Sequence, residues 1–323
     1  MTPAPQMDFR IRGALTHTFR TLALAGLVFL MSSAIPSHAE GETPRVGAFV
    51  SILPEAFFVE EVGGPLVQVD VLVGPGQSPH TFEPTPKQMA RLAGAQVYFT
   101  IGLPFEKKLV EKIAAANSNL NILDAAKGIK RSHHNETDED AEPTGSPSET
   151  EGPTHKHEES EEDPHLWLSP RSAKLIAANI CEGLKSVDPA HGVDYEKNLR
   201  ALKARLDELD GKLARALAPL KGKEFMVFHP AFGHFAKEYG LKQVAVEVEG
   251  KEPSAKQLTQ LVDWAKKQGV RVIFVQPQFS RKSAEAIAKA IGGVVVPMDP
   301  LAKDYVRNLE EMAAKIENAL RQP

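Results

Sequence analysis

Two periodicities alternate along this chain. In 45–53, apolar residues at every second position (Val46, Ala48, Val50, Ile52) predict a strand, stopped by Pro54. A helical pattern through Phe57, Phe58 and Val62 follows and ends at Gly63-Gly64. Further strands are predicted over 67–73, 96–101 and 120–123, with helices starting at Pro86 and covering about 107–115. The alternation restarts with strands at 225–228, 243–248, 270–275 and 294–296, separated by helices to Tyr239, over 255–268 and to Ile291. Strands that alternate with helices build parallel sheets, so the predicted fold class is α/β, in two lobes. Between them Tyr195, Leu199, Leu202, Leu206, Leu209, Leu213 and Leu217 form one apolar stripe at spacings of three and four. At about 1.5 Å per residue a helix carrying that stripe spans roughly 35 Å. It is expected to be a rigid backbone joining the lobes, ended by Pro219 and Gly222.

Two stretches fit neither period. Arg10, Arg12 and Arg20 precede an apolar run over 21–34, and Ser37-His38-Ala39 offers small residues for cleavage. Residues 1–39 are therefore expected to be a secretory signal peptide. The predicted organisation is an N-terminal lobe over 40–187, a linking helix over 188–219 and a C-terminal lobe over 220–323. Removing the leader takes three of 38 basic and one of 42 acidic residues, so 35 face 41 and the net charge is −6. No basic patch points to nucleic acid. The one cysteine, Cys181, lies in a helical pattern and reads as packing. With no cysteine at the cleavage position, a periplasmic protein without a lipid anchor is expected. The second stretch, 132–162, places His133, His134, His155 and His157 among acids, Ser, Thr, Gly and Pro, with almost nothing apolar. It cannot bury a core and is expected to be a mobile loop that captures metal loosely.

Candidate chemistry collects at the ends of elements. His80 follows the second strand and His165 precedes a helix capped by Ser169-Pro170. His229 and Asp299 each follow a strand of the second half. His165 is expected near the surface of a packed layer, in a loop outside the core. His234 is expected to turn away from the site, on the helix surface or behind the ligands, and His191 has no evident partner. Three imidazoles and a carboxylate drawn from two lobes suit a tetrahedral Zn²⁺ site. Manganese or iron in the same site is the alternative. A zinc hydrolase or lyase is a further one, although no His-Glu-x-x-His run is present.

Five stretches carry a resemblance. They are 78–84 (Ser-Pro-His-Thr-Phe-Glu-Pro), 163–170 (Asp-Pro-His-Leu-Trp-Leu-Ser-Pro), 229–235 (His-Pro-Ala-Phe-Gly-His-Phe), 249–254 (Glu-Gly-Lys-Glu-Pro-Ser) and Asp299-Pro300-Leu301. In this order, across nearly the whole chain after the leader, they resemble the metal-type substrate-binding proteins of ABC importers, the ZnuA-like zinc branch in particular. The resemblance implies two α/β lobes on a long backbone helix, with one metal in the cleft. It implies His80, His165 and His229 as ligands, and His229 stands where manganese-type members carry glutamate. Some zinc members place an acid beside the first histidine, where Pro79 stands here, so the fourth ligand is expected to be Asp299 or water. Some also carry a disulfide that one cysteine cannot form. The implied function is high-affinity zinc capture without catalysis. The implied partners are an ABC permease membrane subunit and the zinc ion, with periplasmic zinc chaperones as further candidates, and the protein is expected to be a monomer.

Overall fold

The computed structural model describes residues 45–131, 162–247 and 253–321. In the first lobe β1 (Val46–Val50), β2 (Val67–Val71), β3 (Val97–Thr100) and β4 (Asn121–Asp124) pair in parallel, in the order β2-β1-β3-β4. They are joined by α1 (Leu53–Gly63), α2 (Pro86–Ala93) and α3 (Pro104–Ala116). The second lobe repeats the scheme with β5 (Glu224–Val227), β6 (Lys242–Ala245), β7 (Val272–Val275) and β8 (Val294–Pro297), in the order β6-β5-β7-β8. Its connections are α6 (Gly233–Glu238), α7 (Ala255–Lys267) and α8 (Arg281–Ile291). Each sheet changes winding direction beside its first strand, the place where carboxyl-end loops part and leave a crevice. His80 follows β2 and His229 follows β5, so both lie at such ends.

Between the sheets in sequence lie α4 (Pro170–Val187) and α5 (Gly192–Leu217). Ser169 caps α4 as its residue type predicts: Ser172 N donates to Ser169 Oγ at 3.2 Å, and Pro170 takes the first helical position. Of the stripe on α5, Tyr195, Leu202, Leu206, Leu209, Leu213 and Leu217 are buried and Leu199 is partly so. Full burial of such a leucine stabilises by about 1.5–3 kcal/mol, so this face anchors the molecule. The same core contains Val50 and Phe99 of the first sheet and Phe225, Val227 and Phe274 of the second. The long helix is thus the middle of a core shared by both lobes. A last helix, α9 (Tyr305–Arg321), packs on α5 through a face that includes Tyr305, Leu309, Met312, Ala313 and Ile316. No element beyond the strand at 294–296 is predicted from the sequence.

Two local expectations need correction. The stretch around His165 is core: Asp163, His165, Leu166, Trp167 and Leu168 are all buried. Trp167 is held there because its Nε1 donates to Pro300 O at 2.8 Å, which satisfies the one polar atom of a large apolar ring. His191 also has partners, with its Nδ1 2.7 Å from Asp188 Oδ2, an oxygen that accepts from Tyr195 Oη at 2.6 Å as well. The predicted leader and most of the predicted histidine-rich loop, with His133, His134, His155 and His157, lie outside the described residues.

Candidate metal centre

His80 sits in a single helical turn, Pro79–Thr81, opened by Ser78, whose Oγ accepts from His80 N at 3.3 Å. His165 enters the turn Leu166–Leu168 that leads into α4. His229 directly follows β5, where its backbone is clamped by one side chain. Gln276 Oε1 accepts from His229 N at 3.2 Å, and Gln276 Nε2 donates to His229 O at 2.7 Å. These three elements converge, and one ring nitrogen from each histidine falls within 4.8 Å of the other two. His80 is exposed, whereas His165 and His229 are buried. The centre therefore has an open side, at His80.

The buried rings are aimed by carboxylates. His165 Nδ1 lies 2.7 Å from Asp163 Oδ1, and His229 Nδ1 lies 2.5 Å from Glu247 Oε2. A carboxylate accepting at Nδ1 keeps the proton there and leaves Nε2 as a bare lone pair, the form that binds metal. His80 Nε2 is 3.1 Å from His229 Nε2. Tetrahedral bonds of 2.0–2.1 Å to zinc would place two donor atoms about 3.3 Å apart, so this pair is already near the edge length of such a site. Ring contacts fix the remaining freedom. Phe279 stacks on His229 at 4.7 Å between centroids with 19° between planes, and Trp167 meets His165 edge-on at 5.3 Å.

Burial lowers the His229 pKa from 6.5, and the nearby His165 adds to this, while the Glu247 hydrogen bond opposes it. The ring is then neutral and ready to ligate at neutral pH. A proton competes with metal for His229 only below 6.5, so the part of zinc affinity carried by this ring should hold between pH 8 and 7 and fall on further acidification. Chelator competition across that range measures it.

Asp299 is not among the converging residues. Its Oδ1 accepts from Leu301 N at 2.9 Å and from Gln278 Nε2 at 3.1 Å. His234 does turn behind the ligands, with its Nε2 3.1 Å from Asp163 O. Sequence reasoning missed both orienting acids. Asp163 stands two residues before His165, and that spacing was the available signal; Glu247, just past β6, gave none.

Three histidines from both lobes, two of them buried and carboxylate-oriented, converge where they could hold a metal ion, in a two-lobed parallel α/β fold. Residues 49–319 match the family described as ZnuA, zinc-uptake complex component A, periplasmic. The chain belongs to the ZnuA family. A crystal structure of a ZnuA deletion mutant with zinc bound is similar, with TM-score 0.75 and 42% identity, covering 86% of this chain and 100% of that one. The high-affinity zinc uptake system protein ZnuA of Bacillus subtilis (strain 168) is 30% identical over 285 residues, 84% of this chain and 85% of that protein. The zinc-binding lipoprotein AdcA of Streptococcus pneumoniae is 29% identical over 320 residues. That match takes in 93% of this chain and only 59% of AdcA.

Proposed function

We propose that this protein captures Zn²⁺ with His80, His165 and His229 and delivers it to the membrane subunit of an ABC permease for import, with no catalysis of its own. The observation that carries the reading is the convergence of three ring nitrogens within 4.8 Å, two of them on buried rings held by carboxylates. An all-nitrogen set favours zinc over manganese, which prefers oxygen. Water is one candidate for the fourth position. Asp299 is the other, through Oδ2, since Oδ1 is engaged. The proposed setting is the periplasm, as a monomer, with zinc chaperones as further partners. Relatives include a protein named as a lipoprotein. Elemental analysis of the purified protein, with X-ray absorption at the zinc edge, tests the reading. One zinc per chain with three nitrogen ligands is expected. Preferential retention of manganese or iron overturns it.

His133, His134, His155 and His157 are proposed to add weak, auxiliary capture. The sequence around them has almost no apolar side chains to hold ligands in place, so metal bound there is proposed to be held less tightly than by the three converging histidines. Deleting 132–161 should remove weak zinc equivalents in calorimetry and leave one tight equivalent. Loss of the tight one would move the main site into that segment.

A further inference from the structure

The stretch that carries His165 touches the second lobe at several points, and one of them bears on the ligand itself. Trp167 Nε1 donates to Pro300 O, Tyr305 Oη donates to Trp167 O at 2.6 Å, and Ser169 Oγ donates to Glu238 Oε2 at 2.8 Å. At the ligand end Asp163, 1% exposed, is pressed against the start of α6. His234 Nε2 lies 3.1 Å from Asp163 O and 4.0 Å from Asp163 Oδ2. Gly233 leaves no room for a side chain beside that carboxylate. A Cβ there would stand 2.6 Å from Asp163 Oδ2 and 3.0 Å from Gln243 Nε2, and the first of these is nearer than a carbon and a carboxylate oxygen can approach. On its other side Asp163 Oδ1 accepts from His165 N at 3.0 Å and faces His165 Nδ1 at 2.7 Å.

We infer that Asp163 is a positioning residue of the zinc centre, held by α6 of the second lobe, and that Gly233 is what lets α6 approach it. The inference rests on the zinc-capture reading and deepens it. Asp163 sets the tautomer and aim of His165, because its carboxylate accepts from Nδ1–H, which keeps the proton on Nδ1 and leaves the Nε2 lone pair to the metal. Gly233 follows His229 by four residues, with Gln243 Oε1 fixing the backbone between them by accepting from Phe232 N at 3.0 Å. The aspartate that aims one ligand is therefore braced by the helix that follows another. The separation of His165 from His229 depends on a contact between the lobes in which no metal ligand takes part. Gly233 owes its identity to this contact, since any side chain would push on the carboxylate.

Zinc affinity by chelator competition, measured on the full chain, tests this with D163A, D163N, G233A and the D163A/G233A double variant. D163A should weaken binding 10–100-fold, the range seen when a residue orienting a metal-bound histidine is removed. D163N should lose only several-fold, because its amide oxygen still accepts from Nδ1, though more weakly than a charged oxygen. G233A should weaken binding about as much as D163A, and the double variant should be no weaker than D163A alone. The ¹⁵N signals of the zinc-free His165 ring should report one tautomer in the wild type and a mixture in D163A, which lost packing alone would not produce. Should D163A or G233A fail to fold, D163N carries the test through the same two readouts. Wild-type affinity and an unchanged ring signal in D163N would overturn the inference, as would an equal further loss from G233A when residue 163 is already alanine. A folded wild type that takes up no zinc would instead sink the zinc reading itself.

Discussion

Replacing His80 with alanine should weaken zinc binding by two to three decades while leaving the melting temperature of the zinc-free protein within about 2 °C of wild type. The affinity half follows from sharing. Protein zinc sites of about 10–16 kcal/mol divide among four ligands into roughly 2.5–4 kcal/mol each, and each 1.4 kcal/mol is a factor of ten. The stability half follows from exposure. His80 lies in an exposed turn, and exposed substitutions usually change stability by no more than about 0.5 kcal/mol. His165→Ala should differ in a revealing way. It should lose a similar share of zinc affinity and also melt lower without metal, because a ring 5% exposed against Trp167 leaves a cavity when removed. Chelator competition and thermal melts on the two variants separate the effects. An unchanged zinc affinity in His80→Ala would remove that residue from the centre.

That contrast between two histidines of one site shows where the sequence was legible. The strands, the parallel alternation and the stripe on α5 could be read because apolar period reports burial directly. Each sheet element lies within a few residues of its expected place, and the three histidines sit where loop ends were expected. What could not be read depends on contacts distant in the chain. The burial of His165 is one case: Leu166-Trp167-Leu168 followed by Ser-Pro looks like a loop entering a helix. It becomes core only because Pro300 and Tyr305 bond to Trp167 from more than a hundred residues away. Glu247 is another. An acid past a strand end is ordinary in any α/β protein, and only the β5–β6 pairing brings it beside His229. Asp299 is a third: its place past β8 matches that of His229 past β5, but the sequence does not show that its Oδ1 accepts from Leu301 N and Gln278 Nε2. The helix α9 is a different matter, since Tyr305, Leu309, Met312 and Ile316 carry a helical period that was there to be read.

Saturating zinc should raise the melting temperature by about 8–16 °C, and manganese at equal concentration by far less. Metal held by ligands from both lobes binds the folded chain alone, so at a thousandfold excess over the dissociation constant it adds about 4.1 kcal/mol of stability. In domains of about 150–250 residues each kcal/mol shifts melting by about 2–4 °C, which sets the range. The ligands distinguish the metals. Three imidazoles suit zinc, manganese prefers carboxylate and carbonyl oxygens, and the carboxylates of Asp163 and Glu247 face the Nδ1 atoms of His165 and His229 and are engaged in aiming them. For manganese to gain oxygen ligands there, those acids would have to release the rings they orient. Thermal melts of metal-free protein with each ion decide the point, and a larger shift with manganese than with zinc would contradict the assignment of this centre to zinc.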